Sequence, residues 1–297
     1  MTGNLREKMK KIRVVAIVGP TASGKTSYAI EYAKQNNGAI ISADSRLVYK
    51  GFDIGTAKPT LEERENIPHY LIDIVEPPYN YSVAQYVKDA ENAIKEITNL
   101  GKLPIIAGGT GLYLKGLLEG YDFPDIETDY VLREELKKRD RDSLYEELTH
   151  LDPASAQTIE RNDKKKIIRA LEIMRALGKP LSEVRGVKEH PYEVEWIGLN
   201  FPRNELYERI HKRVDIMLEQ GLIEETKELL SKYGRIQNLL HTIGYQEIIA
   251  YLDGIMSLEE AVEKLKQNTR NYAKRQLTWF RKNEQIKWNC YPEKLKK

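Results

Sequence analysis

Residues 19–26 (GPTASGKT) constrain the fold of this 297-residue chain more than any other segment, since they match the complete pattern G-x-x-x-x-G-K-[ST]. The run before them, residues 12–18, is apolar and rich in β-branched side chains, which indicates a buried parallel strand. The residues that follow, 26–35, have the composition of a helix. A glycine turn in this position directs successive backbone N–H groups towards anionic oxygens. The sequence therefore predicts a di- or triphosphate site.

Strand and helix patterns continue to alternate after this loop. Short apolar runs at 39–43 and 103–107 predict strands, and residues 82–100 between them predict a long helix that stops at Gly101. This alternation is typical of the α/β class. We expect a P-loop NTPase-like parallel sheet with helices on both faces.

A change of character near residue 123 predicts an insertion into this sheet. Strand signals disappear there and charges multiply, until strand character returns at 194–201. We expect three segments: the first part of the P-loop core at 1–122, a helical insertion at 123–190, and core completion with C-terminal helices at 191–297. The expected helices are 130–138, 143–149, 164–177, 203–220, 223–233, 246–252 and 258–282, and the remainder after 201 is expected to be helical.

Composition excludes several classes of protein. Hydrophobic residues make up 41% of the chain, enough for a sizeable core, and the net charge is only +2. The single cysteine, Cys290, excludes a disulfide framework and a cysteine-based zinc module. No apolar run approaches the roughly 20 residues of a membrane span. The basic residues 1–13 lack the apolar core of a secretory signal. We expect a cytoplasmic protein, and a monomer.

The phosphate loop does not by itself identify the ligand. Lys25 is expected to contact a terminal phosphate, and the Thr26 hydroxyl to hold Mg²⁺. ATPases and GTPases also need an Asp for Mg²⁺ at the end of another apolar strand. Gly108, Gly109 and Thr110 follow the strand at 103–107, and none of them is a carboxylate. The loop is typical of nucleotide binding, ATP binding included. The absence of a carboxylate after the strand at 103–107 weakens the interpretation as an ATPase.

Asp44 follows the second predicted strand. In open parallel sheets, ligands bind beyond the carboxyl ends of the strands, so Asp44 and Thr110 are expected beside the phosphate loop. Asp and Ser also begin turns, so Asp44 and Ser45 have an alternative interpretation as a loop pair. The functional interpretation is a carboxylate that accepts a proton or holds Mg²⁺ near the phosphate.

Short motifs continue along nearly the whole chain. They occupy residues 19–26, 44–51, 53–59, 68–73, 108–113, 162–163, 169–172, 244–245 and 273–281. In order and spacing they resemble the bacterial-type tRNA dimethylallyltransferases (tRNA isopentenyltransferases). The resemblance implies transfer of a dimethylallyl group from dimethylallyl diphosphate to the exocyclic amine of the adenosine 3′ of the tRNA anticodon. It also implies release of pyrophosphate and a requirement for Mg²⁺.

The resemblance assigns roles to individual positions. Asp44 corresponds to the general base and Arg213 to a pyrophosphate-contacting arginine, with Lys25 completing the catalytic set. The substrate pyrophosphate is expected to lie against Gly19, Pro20, Thr21, Ala22, Ser23, Gly24, Lys25 and Thr26. The positions that match tRNA contacts are Asp44, Ser45, Arg46, Leu47, Thr110, Arg133, Lys165, Lys166, Ile167, Ile168, Arg169, His241, Thr242, Ile243, Gly244, Tyr245 and Gln246.

Two of these positions depart from the pattern of the family. Many members have Gln where this chain has Leu47, which alters a contact to the target base. Arg is common where this chain has Lys166, and Lys keeps the charge but loses the bidentate geometry of a guanidinium. Neither position belongs to the catalytic set.

Basic residues are densest at 164–169 and 270–282, and the second cluster contains Tyr272, Trp279 and Phe280. Basic charge with aromatic rings suits RNA binding through phosphate contacts and base stacking. The alternative is an amphipathic helix with aromatic residues in the core. Tyr272 and Trp279 lie seven residues apart, which fits that alternative. Considered alone, each cluster favours the packing interpretation.

Three other functions remain open at this level. One is a P-loop kinase of a small molecule or nucleoside, and another is an isopentenyltransferase that acts on free adenine nucleotides. The charged helical insertion argues for an acceptor larger than a nucleotide. The third is a non-catalytic RNA-binding protein, which would leave Asp44 without a role.

Overall fold

The expected strands pair into one parallel sheet. The computed structural model describes residues 11–126, 129–184, 186 and 191–290. The strands are β1 (Ile12–Val18), β2 (Gly38–Ser42), β3 (His69–Tyr70), β4 (Leu103–Gly108), β5 (Tyr192–Asn200) and β6 (Lys287–Cys290). Their order in the sheet is β3-β2-β4-β1-β5-β6, and every pair is parallel.

The register of the central strands fixes where the functional loops meet. Val18 pairs with Gly108, and Ser42 pairs with Ala107, so β1, β2 and β4 end side by side. The central strands are apolar because both faces are covered, and Val14 and Ile41 are fully buried. The phosphate loop after β1 and the Asp44 loop after β2 therefore lie at the same edge of the sheet.

Helices account for most of the remaining described residues. They are α1 (Lys25–Gln35), α2 (Val83–Asn99), α3 (Gly111–Leu118), α4 (Tyr130–Lys138), α5 (Arg141–Leu151), α6 (Pro153–Thr158), α7 (Lys164–Leu177), α8 (Leu181–Val184), α9 (Arg203–Glu219), α10 (Leu222–Tyr233), α11 (Gln237–Leu240), α12 (Tyr245–Leu252) and α13 (Leu258–Phe280). None of these helices, in the part of the chain that the structure describes, is long and apolar enough to cross a membrane.

The chain divides into two compact units. The first comprises the described residues of Met1–Tyr81, Tyr86–Leu114 and Pro191–Lys297, and it contains the whole sheet. The second comprises the described residues of Ser82–Gln85 and Lys115–His190 and contains α4 to α8. Its boundary at Lys115 precedes the expected boundary at residue 123.

The second unit has a hydrophobic core of its own. Leu144, Leu148, Ile167 and Leu171 are fully buried in it. Helix α7 begins where the Asp163 carboxylate accepts a hydrogen bond from the Lys166 N–H, and it ends at a left-handed glycine. These local signals explain why the expected bounds of α4 and α7 agree with the structure.

Two short strands were not expected. The region after residue 201 was expected to be entirely helical, and this expectation is wrong because Lys287–Cys290 forms β6 beside β5. The two-residue strand His69–Tyr70 pairs with β2. Both segments are too short for a period of alternating hydrophobicity. Their strand conformation comes from pairing with a neighbour that is distant in sequence.

Candidate active site

A cleft of about 480 Å³ opens at the carboxyl edge of the sheet, within the first unit. The phosphate loop and the loop after β2 line it together with residues of α9, α12 and α13. Polar and apolar groups both contribute to its wall. This position agrees with the general rule that ligands bind beyond the carboxyl ends of parallel strands.

The phosphate loop is closely packed between its neighbours. A Cβ atom at Gly19 would lie 2.2 Å from the carbonyl oxygen of Leu199, so only glycine fits there. Ala22 adopts a left-handed φ of 62°, a conformation that costs a non-glycine residue about 1–3 kcal/mol and clusters at ligand sites. The Lys25 Nζ donates a hydrogen bond to the carbonyl oxygen of Pro20 at 2.6 Å. The loop is thus held in a fixed conformation by its neighbours.

Arg213 of α9 contacts the phosphate loop. Its guanidinium donates to the Thr21 hydroxyl at 3.3 Å and to the Thr56 carbonyl oxygen at 3.4 Å. Burial lowers the pKa of Arg213, while the charges of Asp44 and Glu63 oppose that shift. A guanidinium remains protonated in proteins even so. Arg213 is therefore a fixed positive charge beside the loop.

The Lys25 ammonium group has an unusual environment. It is partly accessible through the cleft, yet surrounding protein desolvates it. This desolvation and the Arg213 charge lower the pKa of Lys25 to about 7, while Asp44 acts in the opposite direction. Two buried cations held close together at a cleft are typical of an anion site.

A second cavity of about 570 Å³ lies on the other side of the phosphate loop. Lys25, Thr26, Ala57 and Arg213 line both this cavity and the first cleft. The second cavity also contains Arg209, whose Nε donates to the Ala22 carbonyl oxygen at 2.9 Å. Lys25 and Arg213 are therefore accessible from both cavities.

Asp44 is held in one orientation at the wall of the cleft. Its Oδ1 accepts a hydrogen bond from the Arg46 N–H at 2.8 Å. Its Oδ2 has no hydrogen-bond partner among residues 11–126, 129–184, 186 and 191–290. The Thr110 hydroxyl supports the same loop by accepting from the Ser45 N–H at 3.1 Å. One carboxylate oxygen is thus fixed and the other is available to a ligand.

Helix α13 forms the opposite wall with a polar stripe. Gln276 is buried, its Oε1 accepts from the Thr21 N–H at 2.8 Å, and its Nε2 donates to the Gly109 carbonyl oxygen at 3.0 Å. Burial and the Asp44 charge raise the pKa of Tyr272, against the effects of Arg46 and a hydrogen bond with Thr110. Tyr272 therefore stays neutral near Asp44.

Apolar side chains cover the part of the cleft next to Arg213. Ile210, Val214 and Met217 come from α9, and Leu265 comes from α13. The spacing of the three α9 residues places them on the same face of that helix as Arg213. A ligand with its anionic end at the phosphate loop would therefore meet an apolar surface beyond that end.

The donor set fits Mg²⁺ bound together with a diphosphate. Thr26 supplies a hard hydroxyl oxygen at the cleft, next to the phosphate loop. No group of three or more His, Cys, Asp or Glu side chains able to hold a metal occurs in the described part of the chain. Mg²⁺ usually keeps several waters and binds through one or two protein oxygens plus substrate phosphates. The cleft thus suits this shared mode of binding.

Most of the expected first-unit positions meet at this cleft. Its lining includes Thr21, Lys25, Thr26, Asp44, Ser45, Arg46, Leu47, Arg213, His241, Thr242, Ile243 and Gln246. Tyr245 is different, because it is fully buried and its hydroxyl donates to Glu225 at 2.7 Å. Gly244 donates its N–H to Glu247. These two positions therefore support the wall of the cleft from behind, and their contact with RNA stays a prediction.

The expected positions of the second unit also divide into two sets. The side chains of Ile167 and Ile168 are buried in its core, so any contact of these two positions with RNA would have to use other groups. The other positions are charged and at least partly accessible. Arg133 contacts the buried Glu172 through two hydrogen bonds of 2.5 and 2.6 Å, and Arg169 contacts the same carboxylate at 3.2 Å.

The packing interpretation of the C-terminal aromatic residues is wrong for Trp279 and holds for Phe280. Trp279 is 44% exposed, and Tyr272 lines the cleft, whereas Phe280 is buried. Helix α13 has one face on the core and another at the cleft, and a seven-residue spacing does not distinguish these faces. Gln276 and Asn268, which also line the cleft, were not expected as site residues. Each lies four residues from Tyr272, and this helical spacing was the sequence signal that could have placed them on the same face.

Together, the parallel sheet and the loop geometry define a protein that binds a diphosphate-containing ligand beside a positioned carboxylate. The model of the family described as IPP transferase matches residues 47–283. A tRNA dimethylallyltransferase from Anoxybacillus flavithermus is 49% identical over 93% of this chain and 89% of its own length. One from Bacillus subtilis is 47% identical over 93% of this chain and 90% of its own.

Solved structures agree with these sequence relatives. A full-length tRNA isopentenylpyrophosphate transferase from Bacillus halodurans has a TM-score of 0.71 at 44% identity and covers 94% of this chain and 90% of its own. A eukaryotic dimethylallyltransferase acting on tRNA has a TM-score of 0.79 at 32% identity, covering 91% of this chain and 70% of its own. The chain belongs to the IPP transferase family, the tRNA dimethylallyltransferases.

Proposed function

We propose that the protein transfers the dimethylallyl group of dimethylallyl diphosphate to the exocyclic amine of the adenosine 3′ of a tRNA anticodon. The observation that carries this proposal is the cleft itself. It combines the Lys25 and Arg213 cations, an apolar surface beyond them, and the Asp44 carboxylate in a single cavity. A diphosphate ester, a five-carbon chain and a base need these three environments in that order.

The positive charge stabilises the leaving group. In the reaction the bond between the allylic carbon and the bridging oxygen breaks, and the electron pair remains on that oxygen. Negative charge therefore grows on the diphosphate, where the phosphate loop, Lys25 and Arg213 lie. Preorganised stabilisation of such charge is usually the largest catalytic contribution. Mg²⁺, held by Thr26 and the phosphates, would add positive charge at this end.

Asp44 acts on the acceptor. The adenine amine is a poor nucleophile because its lone pair is delocalised into the ring, and it becomes acidic as its bond to carbon forms. The Asp44 Oδ2 then accepts one proton from that nitrogen and passes it to solvent. The products are the N6-dimethylallyl adenosine, diphosphate and one proton, so that atoms and charge balance.

The tRNA presents its acceptor base from a loop. A base that is already in a loop is the least costly to unstack and move into a cleft. In the first unit, Arg46 and His241 line the cleft and can contact the RNA. In the second unit, the charged positions Arg133, Lys165 and Lys166 are proposed to contact its backbone.

Transfer of label tests the acceptor. The protein is incubated with Mg²⁺, labelled dimethylallyl diphosphate, and either unmodified tRNA or AMP. We expect label in tRNA and none in AMP. Label in AMP alone would assign the chain to free nucleotides, and ATP turnover without label would indicate a kinase.

The variant Asp44→Asn tests the general base. General-base catalysis typically contributes about 10²–10⁴-fold, so single-turnover transfer should slow by that factor while the affinity for the diphosphate substrate is retained. Asp215→Asn on the exposed side of α9 is a matched control, since its carboxylate pairs with Lys266 away from the cleft. An unchanged rate for Asp44→Asn would remove Asp44 from the mechanism.

A further inference from the structure

Residues of helix α13 line the cleft along its length. Asn268, Tyr272 and Gln276 follow one another at intervals of four residues, and all three line the cleft. Eight residues of α-helix rise about 12 Å. Gln276 lies at the phosphate loop, where it accepts from the Thr21 N–H. Asn268 therefore lies well away from the phosphate loop along this wall, with Tyr272 between Asn268 and Gln276 and Leu265 beyond Asn268.

A buried carboxylate fixes two amides in that part of the cleft. Glu247 of α12 is 3% exposed. Its Oε1 accepts from the Gln246 Nε2 at 2.6 Å and from the Asn268 Nδ2 at 2.6 Å. Its Oε2 accepts from the Gly244 N–H at 2.8 Å, which closes the cap of α12. The cap uses Oε2 alone, and Oε1 holds the two amide side chains.

The carboxylate decides which way each amide points. A carboxylate only accepts hydrogen bonds, so both amide nitrogens turn towards Glu247 and both amide oxygens turn away from it. Neither amide oxygen has a hydrogen-bond partner in the part of the chain that the structure describes. Each amide nitrogen also keeps a second N–H. Asn268 and Gln246 thus present an acceptor and a donor side by side at the wall of the cleft.

We propose that Asn268, together with Gln246, recognises the edge of the acceptor adenine. An amide matches adenine in particular, because its oxygen accepts from the N6 amine while its N–H donates to an adjacent ring nitrogen. The N6 amine has two hydrogens, and the other one faces Asp44. Guanine carries an oxygen at this position, which would face the amide oxygen. This assignment rests on the proposed function and extends it from the reaction to base selectivity.

The dimensions and polarity of the cleft support the assignment. Starting from the phosphate loop, about 12 Å accommodates the allylic carbon, the amine and the base in line. The five-carbon chain is apolar and would leave the amide groups without partners, at a cost of hydrogen bonding. The alternative surface for that chain is the apolar face of α9 with Ile210 and Val214, beside Arg213. The base is therefore the occupant that suits the amide end.

A chemical double-mutant cycle tests the pair directly. Anticodon stem-loop RNAs carry adenosine, 1-deazaadenosine or 7-deazaadenosine at the acceptor position, and transfer is measured as kcat/KM with the wild type and with Asn268→Ala. Removing the recognised ring nitrogen should slow the wild type by roughly 5- to 100-fold, as for a good amide–base pair. In Asn268→Ala the same replacement should leave kcat/KM nearly unchanged. Gln246→Ala is run through the same cycle.

Matched measurements separate recognition from folding. Gln267→Ala removes an exposed amide one residue away on α13 and should behave like the wild type. Each variant's thermal unfolding and its affinity for dimethylallyl diphosphate are measured alongside. Equal loss with a deaza base in the wild type and in both variants would overturn the proposal, as would a wild type indifferent to both deaza bases. No transfer to unmodified RNA by the wild type would instead reject the proposed function itself.

Discussion

Binding of the diphosphate should depend on pH through Lys25. Desolvation and the Arg213 charge hold the pKa of this ammonium group at about 7. A diphosphate brings negative charge to the same place and returns the pKa towards its ordinary value of about 10.5. Above about pH 7 the ligand therefore binds together with one proton. The affinity must fall as the pH rises, because the protein then has to take up that proton from solvent.

The magnitude follows from these two values. Lys25 is half protonated at about pH 7 and about 1% protonated at about pH 9, so the affinity should fall roughly 50-fold between them. A phosphate ester loses its last proton near pH 6, so the ligand itself contributes little in this window. The free protein shows the opposite linkage. Its unfolded form keeps the Lys25 proton up to about pH 10.5, so this group makes the folded state more stable as pH rises from about 7.

Calorimetric titration with a non-reactive thio analogue of dimethylallyl diphosphate measures the effect, in two buffers of different ionisation enthalpy to count protons. Lys25→Met should bind more weakly and lose the slope. Arg213→Gln should move the midpoint above about pH 7, because it removes the second cause of the shift. A flat affinity in the wild type, or a slope that survives in Lys25→Met, would refute the reasoning.

Other substitutions test the framework around the cleft. Gln276→Ala leaves two backbone groups without partners, so the free energy of unfolding in urea should fall by about 2–4 kcal/mol; an unchanged value would contradict this. Gly108→Ala would place Cβ 2.1 Å from the Ala43 carbonyl oxygen, so both Tm and transfer activity should drop, and wild-type values would show that the strands can separate freely. Glu172→Ala removes the partner of Arg133 and should cost about 3 kcal/mol by urea titration, whereas a loss below about 1 kcal/mol would show that solvent screens the pair.

Local sequence patterns determined the phosphate loop and most of the elements. The strand–loop–helix order at Gly19 to Thr26 depends on neighbouring residues, as do the bounds of α4 and α7. The Asp44 position at a strand end was also predictable, because parallel strands end at one edge of the sheet. The family resemblance supplied Arg213, which has no local signal of its own.

Tertiary structure decided which side chains complete the cleft. Gln276 contacts Thr21 across 255 residues of sequence, and Arg213 contacts it across 192. A helical period shows that α13 has faces but not which partner each face meets, so Trp279 was placed in the core and is exposed. Backbone hydrogen bonding and side-chain periodicity act over a few residues, and the sequence records them directly. Contacts between distant segments form only when the sheet brings those segments together, which is why the orientation of Asn268 towards Glu247 appears in the folded chain alone.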